Sequence, residues 1–204
     1  MTQSEPTVFV VDDDPAVLRG LRLLMKSVKL NVKTYLSAQE FLDGYDPAQP
    51  GCLLLDLRMP GISGLELQEI LQTRNILIPI IIITGYGEVP AAVQAMKRGA
   101  VDFLEKPFND QALVDRVQKA IAKDAQTRKK HTIQEVVSAQ LALLTPRERD
   151  VMDLVIAGKL NKVIACELGL SPKTIEFHRS RIMKKLKVDS VAELVTLAIS
   201  AAKE

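Results

Sequence analysis

The sequence predicts two folded units, a doubly wound parallel α/β sheet of five strands and then an all-α domain of four short helices. The first prediction rests on short, nearly continuous aliphatic runs that alternate with helical patterns. Such runs are typical of strands in a parallel sheet that is covered by helices on both faces. The second prediction rests on the lack of any β-rich run from Thr145 onward.

Local signals support the individual elements of the first unit, in the order (βα)₅. An apolar stripe of Val17, Leu21 and Leu24 predicts the first helix. Ser37 is placed to cap the second helix, and Gly99 ends the fourth. The predicted strands are 7–11, 31–35, 52–55, 78–83 and 102–104, and the predicted helices are 16–27, 37–45, 64–72, 90–98 and 110–123. The helices predicted for the second unit are 145–157, 161–168, 172–187 and 190–201.

Charge is divided unevenly along the chain. Residues 1–122 hold 12 basic and 15 acidic residues, a net charge of −3, whereas residues 123–204 hold 15 and 10, a net charge of +5. The second half is therefore suited to a polyanionic partner. Residues 123–140 contain no Gly or Pro and include the basic run 128–130, so they predict a helical linker. The expected domains are thus 1–122, 123–140 and 141–204.

Composition indicates a soluble, cytoplasmic protein with an aliphatic core. Apolar residues make up 47% of the chain, but aromatic residues only 4%. Two cysteines, Cys52 and Cys166, are too few for a disulfide framework or a structural zinc site, and they suit a reducing cytosol. The longest apolar run, 76–83, is interrupted by Pro79 and is too short to cross a bilayer. We therefore expect no membrane partner.

Polar residues follow the predicted strands of the first unit, where a parallel sheet forms its ligand crevice. Asp14 precedes Pro15 and is expected to cap a helix. Crowded carboxylates need a cation, and a hard divalent ion such as Mg²⁺ would supply it. A phosphoryl group would suit the same site, with Asp56 as the best candidate nucleophile. The residues expected to converge are Asp12, Asp13, Asp56, Thr84 and Lys106.

Four motifs in this unit, in the right order and spacing, resemble the receiver domain of response regulators. They are VVDDD at 10–14, LLLDLRMPGISG at 53–64, ITGYG at 83–87 and FLEKPF at 103–108. The resemblance implies a flavodoxin-like fold in which Asp56 accepts a phosphoryl group from the phosphohistidine of a sensor histidine kinase. It also implies a cis peptide between Lys106 and Pro107. The implied roles are Mg²⁺ binding by Asp12, Asp13, Asp56 and the backbone carbonyl of Arg58, phosphoryl contact by Thr84 and Lys106, and an aromatic switch at Phe103.

Three other functions compete with this interpretation. An aspartyl-phosphate hydrolase would need a second acid two positions after the nucleophile, where this chain has Arg58. A flavin-binding module would need a phosphate loop after the first strand, where three aspartates would repel phosphate. A regulator that works without phosphorylation stays open. On the receiver interpretation, the protein is not an enzyme beyond assisting its own phosphorylation and dephosphorylation.

Residues 161–186 predict a helix, a turn and a second helix. The first helix is expected to bury Val163, Ile164 and Leu168, and Gly169 to end it in left-handed geometry. Ser171 caps the next helix and Pro172 opens it. Such a pair of helices forms a DNA-reading unit whose second helix enters the major groove.

The second helix of this pair has a basic face opposite an apolar one. Residues 173–187 include six Lys or Arg and one acid, as phosphate neutralisation requires. Ile175, Ile182 and Leu186 are expected to face the core. Residues placed to meet base edges are Lys173, Glu176, Phe177 and Ser180, flanked by Thr174, and residues placed to grip phosphates are Arg181, Lys184, Lys185 and Lys162. His178 is expected to be structural or to contact phosphate.

The segment 144–190 resembles the LuxR-type DNA-binding domain, and its union with a receiver is typical of the NarL/FixJ class. The resemblance implies phosphorylation-dependent homodimers that bind promoter DNA, with RNA polymerase as a further expected partner. It places the receiver's dimer surface within 90–121, with Val93 and Lys97 as contacts. The helix 190–201 offers either a second dimer seam or ordinary core packing. Glu176 stands where some relatives have a basic residue, so their target sequence does not transfer.

Overall fold

The computed structural model describes residues 5–85 and 89–202 of the chain. Its strands are β1 (Thr7–Val11), β2 (Asn31–Tyr35), β3 (Gly51–Asp56), β4 (Ile80–Thr84) and β5 (Asp102–Glu105). Its helices are α1 (Pro15–Ser27), α2 (Ala38–Gly44), α3 (Gly64–Thr73), α4 (Val89–Lys97), α5 (Asp110–Ala142), α6 (Pro146–Ile156), α7 (Asn161–Leu168), α8 (Pro172–Leu186) and α9 (Val191–Ala202). The chain divides into two compact units, 1–128 and 129–204.

The first unit is a five-stranded sheet in the order β2-β1-β3-β4-β5, with every neighbouring pair parallel. The predicted doubly wound α/β fold is therefore confirmed. The register aligns Val11 with Leu55 and Asp56 with Ile83. The carboxyl ends of β1, β3 and β4 consequently lie side by side, and the loops that follow them meet at one edge.

Alternating side chains of the central strands build a separate core on each face of the sheet. Phe9 and Val11 join Leu53, with residues of α2, α3 and α4, on one face. Val8 and Val10 pack with residues of α1 and α5 on the other. Because both faces are buried, these strands are apolar throughout, as the sequence indicates.

The strand and helix limits differ slightly from the predicted ones. β4 begins at Ile80 instead of Ile78, because Pro79 has no N–H for the ladder and only its carbonyl accepts, from the Leu53 N–H. The Asp14 side chain accepts from the Ala16 N–H at 2.7 Å, so the expected cap at this position is confirmed. α5 runs without interruption to Ala142, and the predicted linker 123–140 lies within it.

The first compact unit ends at Arg128, beyond the predicted end of the first domain at 122. The buried Asp124 carboxylate accepts from the Gly51 N–H and from the Arg128 Nε. Arg128 also donates to the carbonyls of Pro47, Ala48 and Gln49. These bonds hold α5 to the loop before β3, which explains why the unit extends this far. The functional limits of the linker stay a prediction.

The second unit is built from short helices around an apolar core. Thr145 and Glu148 form a capping box at the start of α6, and Ser171 caps α8. Gly169 ends α7 at φ 66° in the left-handed region, as predicted. The core contains Val151, Val155, Ile164, Ile175, Ile182, Leu186 and Leu194. Within 5–85 and 89–202, no helix is both long and apolar enough to span a membrane.

Candidate functional site

The ammonium group of Lys106 lies between the carboxylates of Asp12 and Asp56. The Lys106 Nζ is 2.7 Å from the Asp12 Oδ2 and 2.7 Å from the Asp56 Oδ1. Asp12 follows β1, Asp56 ends β3 and Lys106 follows β5, so one residue from each of three loops meets at the carboxyl edge of the sheet. The structure therefore brings together three of the residues that the sequence places in one pocket.

Backbone amides also donate hydrogen bonds to both carboxylates. The Asp56 Oδ2 accepts from the Arg58 N–H at 2.8 Å, and the Asp12 Oδ1 accepts from the Asp14 N–H at 2.9 Å. Asp12 and Asp56 are almost fully buried. Burial of two carboxylates is tolerated because they share the Lys106 ammonium and each accepts from a backbone amide, which offsets the lost hydration.

Thr84 and Phe103 lie on the neighbouring strands β4 and β5. Thr84 is buried at the end of β4, and its carbonyl accepts from the Lys106 N–H at 2.8 Å. Phe103 in β5 is partly buried against the core that covers the face of α3 and α4. The Lys106–Pro107 peptide is cis, as the resemblance implies. Tyr86 and Gly87 of the 83–87 motif lie outside the described residues.

The electrostatics of the three groups are set by burial and by their mutual contacts. Burial raises the pKa of the Asp56 carboxyl above its ordinary value, and the Asp12 charge adds to this, although the Lys106 ammonium opposes both. Burial alone would lower the pKa of Lys106, but its hydrogen bonds to Asp12 and Asp56 outweigh that effect and raise it. The surroundings of Asp56 thus raise its pKa even though a cation lies beside it.

The oxygens at this edge are a suitable donor set for a hard divalent cation. Asp12 and Asp56 share one ammonium, and the exposed Asp13 follows Asp12 directly. Mg²⁺ typically takes one or two carboxylates and keeps several waters. Nevertheless, no group of three or more His, Cys, Asp or Glu side chains in the described part of the chain is arranged to hold a metal. In this structure the Lys106 ammonium bridges Asp12 and Asp56.

One contributor to this site, Gly64, was not identified from the sequence. A Cβ on Gly64 would lie 2.3 Å from the Asp56 carbonyl oxygen and 3.0 Å from the Leu57 Cα. The Gly64 N–H also donates to the Leu57 carbonyl at 3.0 Å. The start of α3 therefore closes on the backbone of Asp56 only because residue 64 has no side chain.

The basic face predicted for α8 is solvent-exposed in the structure. Ile175, Ile182 and Leu186 are buried as predicted. Thr174 is partly buried, and its N–H donates to the Ser171 side chain at 3.0 Å. The Arg181 guanidinium lies 5.5 Å from the centre of the Phe177 ring. Exposed residues of the predicted DNA face are Lys173, Glu176, Phe177, Ser180, Arg181 and Lys184, with Lys162 exposed on α7.

Lys185 has a different environment from the rest of this face. Its Nζ donates to the buried Glu148 carboxylate at 2.6 Å and to the Leu143 carbonyl at 3.0 Å. Glu148 was not singled out in the sequence, although the pattern Thr145-x-x-Glu148 that makes it a cap is visible there.

The prediction that α7 buries Val163 is wrong: it is 44% exposed, because the helix turns Ile164 and Ala165 to the core instead.

Several surfaces expected to take part in assembly are also placed by the structure. Val93 and Lys97 are exposed on α4. On α9, Leu194 is buried in the core of its own unit and Leu197 packs against that core. Core packing therefore accounts for Leu194, and a dimer seam on this helix stays a prediction.

The Nδ1 of His178 is buried without a hydrogen-bond partner among the described residues.

This fold and these sites define a two-domain signalling protein, in which an α/β unit with an acidic, lysine-bridged edge is joined to a helix-turn-helix unit. Residues 8–118 match the response regulator receiver domain, and residues 142–198 match the luxR family of bacterial regulatory proteins. The chain therefore belongs to the response regulators with a LuxR-type DNA-binding domain, which regulate transcription in a phosphorylation-dependent way.

Similar proteins are aligned over nearly their whole length. The transcriptional regulatory protein FixJ of Azorhizobium caulinodans is 44% identical over 201 residues, covering 98% of this chain and 95% of the relative. The solved structure of the response regulator StyR is 46% identical, with a TM-score of 0.85 over 96% of this chain and 99% of that one. Full-length FixJ from B. japonicum is 42% identical, with a TM-score of 0.60 over 98% and 99% of the two chains.

Proposed function

We propose that Asp56 is the phosphoryl acceptor and that a sensor histidine kinase is the donor. The observation that carries this proposal is the pair of 2.7 Å contacts that join Lys106 to Asp12 and Asp56. A carboxylate oxygen of Asp56 would attack the phosphorus of a phosphohistidine, so that a P–O bond forms and the P–N bond breaks. The leaving imidazole nitrogen then takes up a proton.

The neighbours of Asp56 would divide the charge of the transferred group between them. Lys106 is already within hydrogen-bond distance of Asp56, so it would bind a phosphoryl oxygen with a small shift of its ammonium. The Thr84 hydroxyl would donate to another oxygen. Asp12, Asp13, Asp56 and the backbone carbonyl of Arg58 would hold Mg²⁺. Bound there, Mg²⁺ would neutralise charge on the phosphoryl oxygens. The same residues would support the later hydrolysis of the acyl phosphate.

The phosphorylated receiver would then dimerise. Movement of Thr84 toward the phosphoryl group would leave room for Phe103 to turn inward, which would bias the surface within 90–121. Val93 and Lys97 are exposed on that surface and would contact a second copy of the chain.

The second unit would read promoter DNA through α8, and RNA polymerase would be a further partner at the promoter. Lys173, Thr174, Glu176, Phe177 and Ser180 belong to the half of α8 that would approach base edges. The phosphate contacts would come from the exposed cations Lys162, Arg181 and Lys184. The ammonium of Lys185 is already bound to Glu148, which argues against the phosphate contact that the sequence predicts for it.

Phosphorylation is tested by incubating the full chain with Mg²⁺ and acetyl phosphate and measuring its intact mass. We expect the wild type to gain one phosphoryl group and the Asp56→Asn variant to gain none. Asp13→Asn and Lys106→Met should both slow the gain. An equal gain in the Asp56→Asn variant would place the acceptor elsewhere, and no gain in the wild type would favour a regulator that works without phosphorylation.

DNA binding is tested by mapping bound genomic sites in cells that carry the wild type or the Asp56→Asn variant. We expect discrete sites for the wild type and reduced occupancy of the same sites for the variant. Equal occupancy would show that binding does not need phosphate on Asp56. Sedimentation of the acetyl-phosphate-treated protein would show, separately, whether it dimerises.

A further inference from the structure

The most buried acidic side chain of the second unit is that of Glu148, at the start of α6. Its carboxylate is 1% exposed, although glutamate is among the residues least often buried. One oxygen accepts from the N–H and the hydroxyl of Thr145, at 2.8 Å and 3.1 Å, which closes the helix cap. Capping alone does not require burial, since the same motif at Ser63 and Glu66 in α3 is exposed.

Burial of Glu148 is explained by two cations that come from α8. The Lys185 Nζ lies 2.6 Å from the Glu148 Oε2, and the Arg181 Nε lies 3.6 Å from its Oε1. Lys185 also donates to the Leu143 carbonyl just before the cap. The C-terminal half of α8 is therefore joined to the start of α6 at three points by ionic and hydrogen-bonded contacts.

We infer that Glu148 is a positioning residue for DNA recognition: it fixes α8 through Lys185, and so removes the Lys185 charge from the surface that meets DNA. This inference rests on the proposed role of α8 at the DNA. It assigns Lys185 and Lys184, adjacent on the same basic helix, to opposite functions. Lys184 is exposed and is left for phosphate, whereas the Lys185 ammonium has a buried partner.

Arg181, the second cation of α8 beside Glu148, also lies on the face predicted to meet DNA. Its side chain is 53% exposed, and it lies near both Glu148 and the Phe177 ring. Because about half of the Arg181 side chain is exposed, it can meet a phosphate while it lies beside Glu148. The Phe177 ring, an expected base-contacting side chain, lies 5.5 Å from the same guanidinium.

The number of phosphate contacts can be measured directly, because each one adds about 0.9 to the dependence of log binding constant on log salt concentration. The probe is a fluorescein-labelled duplex of random sequence, titrated with full-length protein at about 50 to 200 mM NaCl. The variants are Lys184→Met, Lys185→Met and Lys185→Arg. Each protein is measured with and without prior treatment with acetyl phosphate and Mg²⁺.

We expect Lys184→Met to make the salt slope shallower by about 0.9 per bound subunit. Lys185→Met should weaken binding several-fold but leave the slope at the wild-type value, and Lys185→Arg should restore the affinity. A merely structural loss would not separate the two lysines in this way. Circular dichroism checks the fold, and Lys185→Gln, which keeps a donor for Glu148, replaces the methionine variant if that variant unfolds.

Other outcomes count against the inference in distinguishable ways. A shallower slope for Lys185→Met or Lys185→Gln would show that Lys185 contacts phosphate, and would overturn the inference while leaving α8 as the DNA-contacting helix. An unchanged slope for Lys184→Met would show that Lys184 does not contact phosphate, and would overturn the inference. A wild-type slope near zero would remove the basic face of α8 from the interface, and so would overturn its proposed role and the inference together. A wild type that binds no duplex would do the same.

Discussion

The negative charge of Asp56 destabilises the folded first unit. Burial and the neighbouring Asp12 raise the pKa of the Asp56 carboxyl, which means that the folded state holds the proton more tightly than the unfolded chain does. At neutral pH the ionised group therefore lowers the free energy of unfolding, even with Lys106 beside it. A loss of stability of this kind is common at functional sites.

The Asp56→Asn variant should consequently be more stable than the wild type at pH 7, by about 0.5–2 kcal/mol, while losing phosphoryl transfer. Urea denaturation of both proteins at pH 7 measures the difference. The exposed Asp43→Asn serves as a matched control in the same unit and should leave stability nearly unchanged. A less stable Asp56→Asn variant would mean that the Lys106 contact outweighs burial.

Gly64 gives a second prediction at single-residue scale. Because its Cβ would meet the Asp56 carbonyl oxygen at 2.3 Å, Gly64→Ala must push the β3–α3 loop away from the sheet edge. We expect a loss of about 1–3 kcal/mol in the free energy of unfolding, together with slower phosphorylation. Both are measurable on one preparation, by denaturation and by intact mass.

Gly20 in α1 is the matched control for this change. Nothing lies within 4 Å of a Cβ built on Gly20, so Gly20→Ala should instead stabilise α1 by up to about 1 kcal/mol. If Gly64→Ala proved as stable as Gly20→Ala, the close approach of α3 to Asp56 would not constrain the site.

At the scale of elements, side-chain contacts hold α5 to the first unit beyond the end of its apolar stripe. Asp124 and Arg128 tie it to the loop at 47–49 and to Gly51, after its apolar stripe on the sheet has ended at Ile121. Arg128→Ala would remove donors to three carbonyls and leave the buried Asp124 without its cation. We expect a loss of about 1.5–3 kcal/mol and faster amide exchange beyond residue 124.

Lys129→Ala is the control for this helix, since Lys129 is exposed and adjacent to Arg128. It should alter neither denaturation nor exchange. Equal protection of 125–128 in wild type and Arg128→Ala would show that helix propensity alone maintains this part of α5.

Most elements could be predicted because they depend on local pattern. Near-continuous aliphatic runs place β1, β3 and β4, and caps such as Ser171 and Gly169 place the ends of α7 and α8. Two predictions were wrong: the first residue of β4 and the burial of Val163 in α7. β4 starts at Ile80 because Pro79 lacks the N–H that the ladder needs, which the sequence already shows. The exposure of Val163 depends instead on which side of α7 meets the core.

The site was predictable to the extent that topology brings strand ends together. Asp12, Asp56 and Lys106 each follow an apolar run, so a parallel sheet gathers them without further information. Gly64 was missed because its role is a clash that would occur only in three dimensions. The Glu148–Lys185 contact was missed because the cap motif is visible in sequence, but its ionic partner lies 37 positions away.

At the scale of the whole molecule, acid should change the contributions of Glu148 and Asp56 to stability in opposite directions. Hydrogen bonding from Lys185, with further hydrogen bonds from Thr145, lowers the pKa of Glu148 to about 2. A lowered carboxyl pKa stabilises the fold above the ordinary value of 4.5, and this contribution is lost as pH falls through about 2. For Asp56 the sign reverses, because its raised pKa means that the penalty fades as pH falls toward the ordinary value of 3.8.

Differential scanning calorimetry of the full chain between about pH 7 and pH 3 tests this, since two compact units can give two transitions. Other carboxylates titrate in the same range, so each contribution is read as a difference between wild type and one variant. The stability advantage of wild type over Glu148→Gln should shrink below pH 4.5 in the transition of the second unit. The advantage of Asp56→Asn over wild type should shrink over the same range in the transition of the first. As pH falls, the wild type should thus lose stability relative to Glu148→Gln and gain it relative to Asp56→Asn. A loss relative to both variants, or a gain relative to both, would contradict the opposite signs assigned to Glu148 and Asp56.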